Sequence, residues 1–209
     1  MIIYYLTHII SWIICKIFFR LEVKGIENIP KQGSVLLVSN HVSNMDPIFI
    51  PTAVWRRIFN FMAKEELFSN PIIAAYFRKI KMFPIKRGKG DLKAIKTSID
   101  ILNRGELLLM FPEGTRSKTG ELLPAQPGSA LIALKSNATI VPAFISGSEK
   151  VLPKGAKMIR LKKITVYFGK SFNLEKYKNA IDSKENYKII GEEIMKRIAE
   201  LKDGIAHGS

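Results

Sequence analysis

Along most of the chain, short apolar runs alternate with stripes of helical period. Val35-Leu36-Leu37-Val38, Leu107 to Phe111 and Ile140 to Ile145 are continuous apolar runs of strand length, the pattern of strands buried on both faces. Ile164 to Phe168 alternates instead and predicts a strand with one exposed face. Leu92, Ile95, Ile99 and Leu102 recur every three or four residues, with Asp91 placed to cap that helix and Gly105 to end it. Ile190, Ile194, Ile198 and Leu201 predict a C-terminal helix stopping near Gly204. Such alternation predicts an α/β fold, a mostly parallel central sheet covered by helices. No repeat or low-complexity stretch breaks it, and no domain boundary is visible after residue 25. The chain therefore reads as an apolar helix, residues 1–20, followed by one domain, residues 21–209.

The first segment carries no Lys, Arg, Asp or Glu before Lys16 and Arg20. As a helix, residues 1–19 would measure roughly 28 Å, just short of a hydrocarbon core of about 30 Å. A cleaved secretory signal has its basic residues before the apolar run and ends in small residues; this order is reversed, with Phe18-Phe19-Arg20 at the end. Tyr4, Tyr5 and Trp12 favour a water–lipid boundary. A helix lying in the cytoplasmic leaflet, with Lys16 and Arg20 at the headgroups, accounts best for these features. A helix buried on the domain and a full span are the other two readings.

Composition narrows the partners. Of 209 residues, 33 are Lys or Arg and 18 are Asp or Glu, a net charge of +15, which calls for an anionic partner. One cysteine excludes a disulfide framework and a four-thiolate zinc site. Nucleic acid fits poorly: the basic stretch 78–96 holds one aromatic outside its ends, Phe83, within an apolar strand, and offers no series of stacking platforms.

Candidate chemistry sits just past predicted strand ends, where open α/β sheets bind ligands. In Asn40-His41-Val42-Ser43-Asn44-Met45-Asp46-Pro47, Asp46-Pro47 reads as a helix start with Asp46 as cap. His41 then lies in a turn and can fold back on Asp46; in one regular helix the two would stand ~140° apart. The pair would give an imidazole of fixed tautomer suited to general-base work. The same spacing also serves a plain cap and a satisfied turn, and spacing alone leaves both open. Arg87, between a short apolar strand and Gly88, could fork onto a phosphate, although most neighbouring lysines suit a solvated face. Glu113, Gly114, Thr115 and Arg116 form a tight turn able to grip an anion and a hydroxyl, or simply a Glu113–Arg116 pair. Pro142 marks an edge or an irregularity in its strand.

Taken in order, these segments resemble the glycerolipid acyltransferases, specifically the 1-acylglycerol-3-phosphate (lysophosphatidic acid) acyltransferases, over roughly residues 21–170. His41-Val-Ser-Asn-Met-Asp46 fits the family's HxxxxD motif and Phe111-Pro-Glu-Gly-Thr-Arg-Ser117 its FPEGTRS motif; Arg87 and Pro142 match the second and fourth motifs. The resemblance implies that His41, oriented by Asp46, deprotonates a glycerol hydroxyl. It implies that Arg87, Glu113, Gly114, Thr115 and Arg116 bind the glycerol phosphate, with nearby backbone amides for the thioester oxyanion. The implied reaction moves an acyl group from acyl carrier protein or acyl-coenzyme A to the sn-2 hydroxyl of lysophosphatidic acid, giving phosphatidic acid. It involves no metal and no cofactor beyond the acyl co-substrate, and takes place at the cytoplasmic face of a membrane. Glycerol 3-phosphate or another lysophospholipid is the alternative acceptor.

The chain departs from relatives at Ala125-Gln126-Pro127-Gly128, where many have Phe-Lys-Lys-Gly, and in having one short apolar segment where relatives can carry a longer helical pair. A serine hydrolase is the weaker enzymatic reading, because Ser43 lies only two residues from its supposed base and no Gly-x-Ser-x-Gly elbow is present. Cys15, within the apolar helix, is a poor nucleophile. A second basic cluster, Lys150, Lys154, Lys157, Arg160, Lys162 and Lys163, could meet anionic headgroups or an acidic carrier protein.

Overall fold

The computed structural model describes residues 1–86, 90–152, 158–177 and 183–207. Arg87 lies outside the described residues, as do Lys154 and Lys157. The fold is α/β. Seven strands, β1 (Glu22–Lys24), β2 (Val35–Ser39), β3 (Phe59–Lys64), β4 (Met82–Ile85), β5 (Leu107–Met110), β6 (Thr139–Ser146) and β7 (Thr165–Phe168), form one sheet in the order β1-β7-β6-β2-β5-β3-β4. All neighbouring pairs are parallel except β6–β7. Every residue of β2 and β5 is buried, as the continuous apolar runs require of strands covered on both faces.

Helices α1 (Ile2–Phe19) and α2 (Asp46–Thr52) cover one face, burying Cys15, Phe19, Phe49 and Ile50. On the other, α4 (Leu92–Asn103), α5 (Pro127–Ser136) and α7 (Lys184–His207) bury Ile101, Leu102, Ile132, Ile190, Ile194 and Ile198. A short α3 (Pro71–Lys79) precedes β4, and α6 (Ser148–Val151) follows β6. Asp91 caps α4 through its carboxylate, which accepts from the Ala94 amide at 3.1 Å, and Gly105 follows in the left-handed region at φ +74°.

Two expectations need correction, and a third is narrowed to one of its two alternatives. Residues 165–168 form a strand, but three of the four are buried; flanked by β1 and β6, β7 has no free edge, so simple alternation fails. The C-terminal helix runs through Gly204 to His207. A Cβ at Gly204 would meet nothing, so only the glycine's ~1 kcal/mol propensity penalty opposes continuation. Pro142 lies in an interior strand and therefore marks an irregularity rather than an edge. β6 pairs with β7 from Ala143, and the chain bulges before rejoining it at the Ile140–Phe172 bridge.

α1 is neither free nor buried. Tyr4, His8, Cys15 and Phe19 face the domain from the first turn to the last, with the Tyr4 hydroxyl accepting from the Phe59 amide at 2.9 Å. Its opposite face leaves Leu6, Ile9, Ile13, Ile17 and Phe18 exposed. By length and composition the helix could cross a membrane.

Candidate active site

β2 and β5 are adjacent and parallel, so their carboxyl ends open side by side. The turn from Asn40 leaves β2 and the loop from Phe111 leaves β5, which brings the two motif segments into contact. Asn40 clamps the first of them to β6, donating to the Ile145 carbonyl at 3.1 Å and accepting its amide at 2.8 Å. Sequence reasoning passed over Asn40, although a buried amide immediately after a strand is a recognisable sign of such a clamp.

His41 is 4% exposed and Asp46 fully buried. Nδ1 of His41 lies 2.8 Å from Oδ2 of Asp46. That oxygen also accepts from the Val42 and Ser43 amides, each at 2.8 Å. Asp46 thus does not cap its own helix, as the sequence suggested; it is the first helical residue and reaches back into the turn, and no side chain caps the N-terminus of α2. Because the neighbouring amides can only donate, Oδ2 is held as an acceptor, and it in turn favours the His41 tautomer with its proton on Nδ1. No hydrogen bond engages Nε2 among the described residues, so this nitrogen is available as a base.

The Phe111 loop holds the histidine from the other side. The Phe111 ring stacks on the imidazole with centroids 4.1 Å apart and planes at 17°. Oε1 of Glu113 accepts the His41 amide at 2.8 Å, Oε2 accepts the Leu123 amide at 3.1 Å, and the Ser117 amide donates to the His41 carbonyl at 2.8 Å. Glu113, 1% exposed, is therefore a strut that fixes the His41 main chain, and neither an anion-gripping group nor an Arg116 partner is needed to explain its burial. Burial raises its carboxyl above the ordinary range, and the two backbone donors partly offset that. Gly114 turns at φ +65°, where a Cβ would stand 2.8 Å from the Gln126 side chain. Arg116 is half-buried in the same loop, beside Ser117.

A cleft of about 650 Å³ opens next to this arrangement. Its lining includes Lys86, Gly90, Asp91, Glu113, Gly114 and Thr115 together with the apolar Met62, Ile95, Met110 and Ile132. Phe111 lines the cleft and stacks on His41, but His41, Asp46 and Arg116 are not among the described lining groups. The expected supply of oxyanion amides is narrower than the resemblance implied. The amides of His41, Val42, Ser43, Gly114 and Ser117 are all engaged within the protein. Ser43 is fully buried and its hydroxyl donates to the Leu152 carbonyl at 2.9 Å, which leaves it no role as a nucleophile. Burial pushes the Cys15 thiol up to about 11, which makes it inert at neutral pH.

A mostly parallel sheet with an imidazole–carboxylate pair and an FPEGTRS loop at the carboxyl ends of its strands defines an acyltransferase-type site. The acyltransferase family profile matches residues 20–146, and the chain belongs to that family. It is 30% identical to a 1-acyl-sn-glycerol-3-phosphate acyltransferase from Bacillus subtilis over 182 residues, covering 87% of this chain and 88% of that protein. A chloroplastic 1-acyl-sn-glycerol-3-phosphate acyltransferase from Arabidopsis thaliana is 31% identical over 145 residues; 68% of this chain spans 40% of that longer protein. The crystal structure of the 1-acyl-sn-glycerophosphate acyltransferase PlsC from Thermotoga maritima superposes with a TM-score of 0.75 at 28% identity, covering 95% of this chain and 79% of that one.

Proposed function

We propose that the protein transfers a fatty acyl group from a thioester, acyl carrier protein or acyl-coenzyme A, to the sn-2 hydroxyl of 1-acylglycerol 3-phosphate, giving phosphatidic acid at the cytoplasmic face of a membrane. The observation that carries this reading is the buried 2.8 Å contact between His41 Nδ1 and Asp46 Oδ2, which leaves Nε2 to act. Nε2 accepts the acceptor's hydroxyl proton as the hydroxyl oxygen bonds to the thioester carbon. The tetrahedral intermediate then collapses, the carbon–sulfur bond breaks, and the imidazolium returns its proton to the departing thiolate. The products are an ester and a free thiol, with no acyl-enzyme. Asp46 stabilises the imidazolium while it exists. Glu113 holds the His41 main chain and Phe111 its ring, and Arg116 with Arg87 neutralises the acceptor phosphate.

The names of the relatives support the acceptor. The apolar side chains that line the cleft suit an acyl chain. The docking of α1 along its length supports a helix lying in one leaflet, since a span would have to separate from the domain. The deciding experiment is a matrix of acyl carrier protein and coenzyme A thioesters against lysophosphatidic acid, glycerol 3-phosphate and neutral lysophospholipids. Phosphatidic acid should form from lysophosphatidic acid, and His41→Ala should abolish it with folding intact. Preferential consumption of glycerol 3-phosphate or another lysophospholipid would favour the alternative acceptor.

A further inference from the structure

The proposed chemistry makes no use of residues 158–163, yet they carry a distinctive surface. Met158, Ile159 and Leu161 are 79%, 52% and 60% exposed and alternate in sequence with Arg160, Lys162 and Lys163. Of these cations, Lys163 is paired, 2.7 Å from Glu22.

The segment has a fixed place. At its base, Gly147 adopts φ +92° and passes so close to Lys163 that a Cβ would stand 2.2 Å from the Lys163 carbonyl oxygen. The Ile164 amide donates to the Phe19 carbonyl at 3.0 Å, where the bare face of α1 ends in exposed Ile17 and Phe18. The Arg160 amide donates to the Val151 carbonyl at 2.9 Å, and the next carbonyl, that of Leu152, accepts the Ser43 hydroxyl at 2.9 Å. Residues 158–163 thus bridge the end of α1 and the turn that carries His41.

Large apolar side chains interleaved with cations, next to an already apolar helix face, match the chemistry of an anionic bilayer surface: hydrocarbon below the headgroups and negative charge at them. An acidic protein would complement the cations but would leave the three apolar side chains without a reason for exposure. We propose that residues 158–163 insert into the headgroup layer of an anionic bilayer beside α1, as a second attachment that holds the His41 turn at the depth of a membrane-borne acceptor. The attachment stands on the surface alone; its consequence for turnover rests on the proposed function.

The test uses the full chain and vesicles of phosphatidylcholine with or without phosphatidylglycerol. Ile159→Ser with Leu161→Ser should weaken partitioning roughly tenfold or more, as expected when two large apolar side chains no longer leave water. Arg160→Glu with Lys162→Glu should remove the gain that phosphatidylglycerol gives. Ile189→Ser, an exposed change on α7 across the sheet, should leave partitioning unaltered. An environment-sensitive dye on Ile159→Cys should shift to the blue on adding vesicles. Unaltered partitioning of the double serine variant, or a dye that stays in water, would overturn the proposal. So would intact vesicle binding with lost affinity for a purified acidic carrier protein, which would assign the segment to a protein partner. A protein that binds vesicles as described yet transfers no acyl group would refute the proposed function and leave the attachment standing.

Discussion

Replacing Asp46 by Asn changes one atom of a carboxylate that takes three donors on the same oxygen. Two of those donors are main-chain amides and cannot become acceptors, so the amide oxygen must occupy the Oδ2 position. The Asn NH₂ then falls at Oδ1, a buried atom with no hydrogen-bond partner among the described residues. In that orientation the oxygen still accepts from Nδ1, so the tautomer and ring position survive. The cost to the ground state is about 1 kcal/mol for each bond that ceases to be charge-assisted, plus about 1–3 kcal/mol for the buried, unpaired NH₂.

The larger loss comes when His41 is protonated, because a buried imidazolium without its counter-charge costs about 3–5 kcal/mol. That penalty corresponds to roughly two to four orders of magnitude in kcat, with KM little changed, because the charge develops only during reaction. Thiol release from an acyl thioester, followed on purified Asp46→Asn alongside a thermal melt, measures both effects. A variant that melts somewhat earlier but turns over at a near-wild-type rate would refute the role given to the His41–Asp46 contact.

Glu113→Ala should leave the buried His41 amide without an acceptor, at about 1–3 kcal/mol, and the part-buried Leu123 amide at less, and lower both thermal stability and kcat, since His41 loses a main-chain anchor. Denaturant titration and turnover measure the two effects. Because burial raises the Glu113 carboxyl, the folded chain keeps a proton that the unfolded chain releases near pH 4.5, so its contribution to stability is full below that pH and is lost as pH rises through the raised value. The stability difference between wild type and Glu113→Gln should therefore shrink with rising pH in the acid range, and urea unfolding at a series of pH values would contradict this by showing a constant gap. Asn40→Ala should free the Ile145 amide and carbonyl in the core, lowering the unfolding midpoint and, through the loosened turn, the rate. Cys15, 2% exposed, should react with a thiol reagent only at the rate of unfolding; fast labelling of the native chain would show that α1 undocks readily.

The sheet's centre was readable because β2, β5 and most of β6 are uninterrupted apolar runs, the direct consequence of burial on both faces. β3 was not, because Asn60 breaks the run Phe59-Asn60-Phe61. In the fold Asn60 is 4% exposed and satisfied by Glu106 and the Leu107 carbonyl, contacts between strands far apart in sequence. β1 has three residues at the sheet edge, too few to show a period. The motifs located the site and its strand-end setting. They could not show which way Asp46 points or that Glu113 supports the main chain of His41, because both depend on which amides are left needing an acceptor once β2 and β5 lie side by side.

The position of β1 bears on synthesis. Glu22–Lys24 lie beside Thr165–Tyr167, so β1 has its hydrogen-bonding partner only after β2 to β6 have all been translated. Contacts so distant along the chain are slow to close. Throughout that interval α1, immediately upstream, lacks the finished platform against which Cys15 and Phe19 pack. A nascent chain thus offers this greasy helix early and its seat late, so through most of synthesis the apolar residues of α1 have no finished protein surface to cover them.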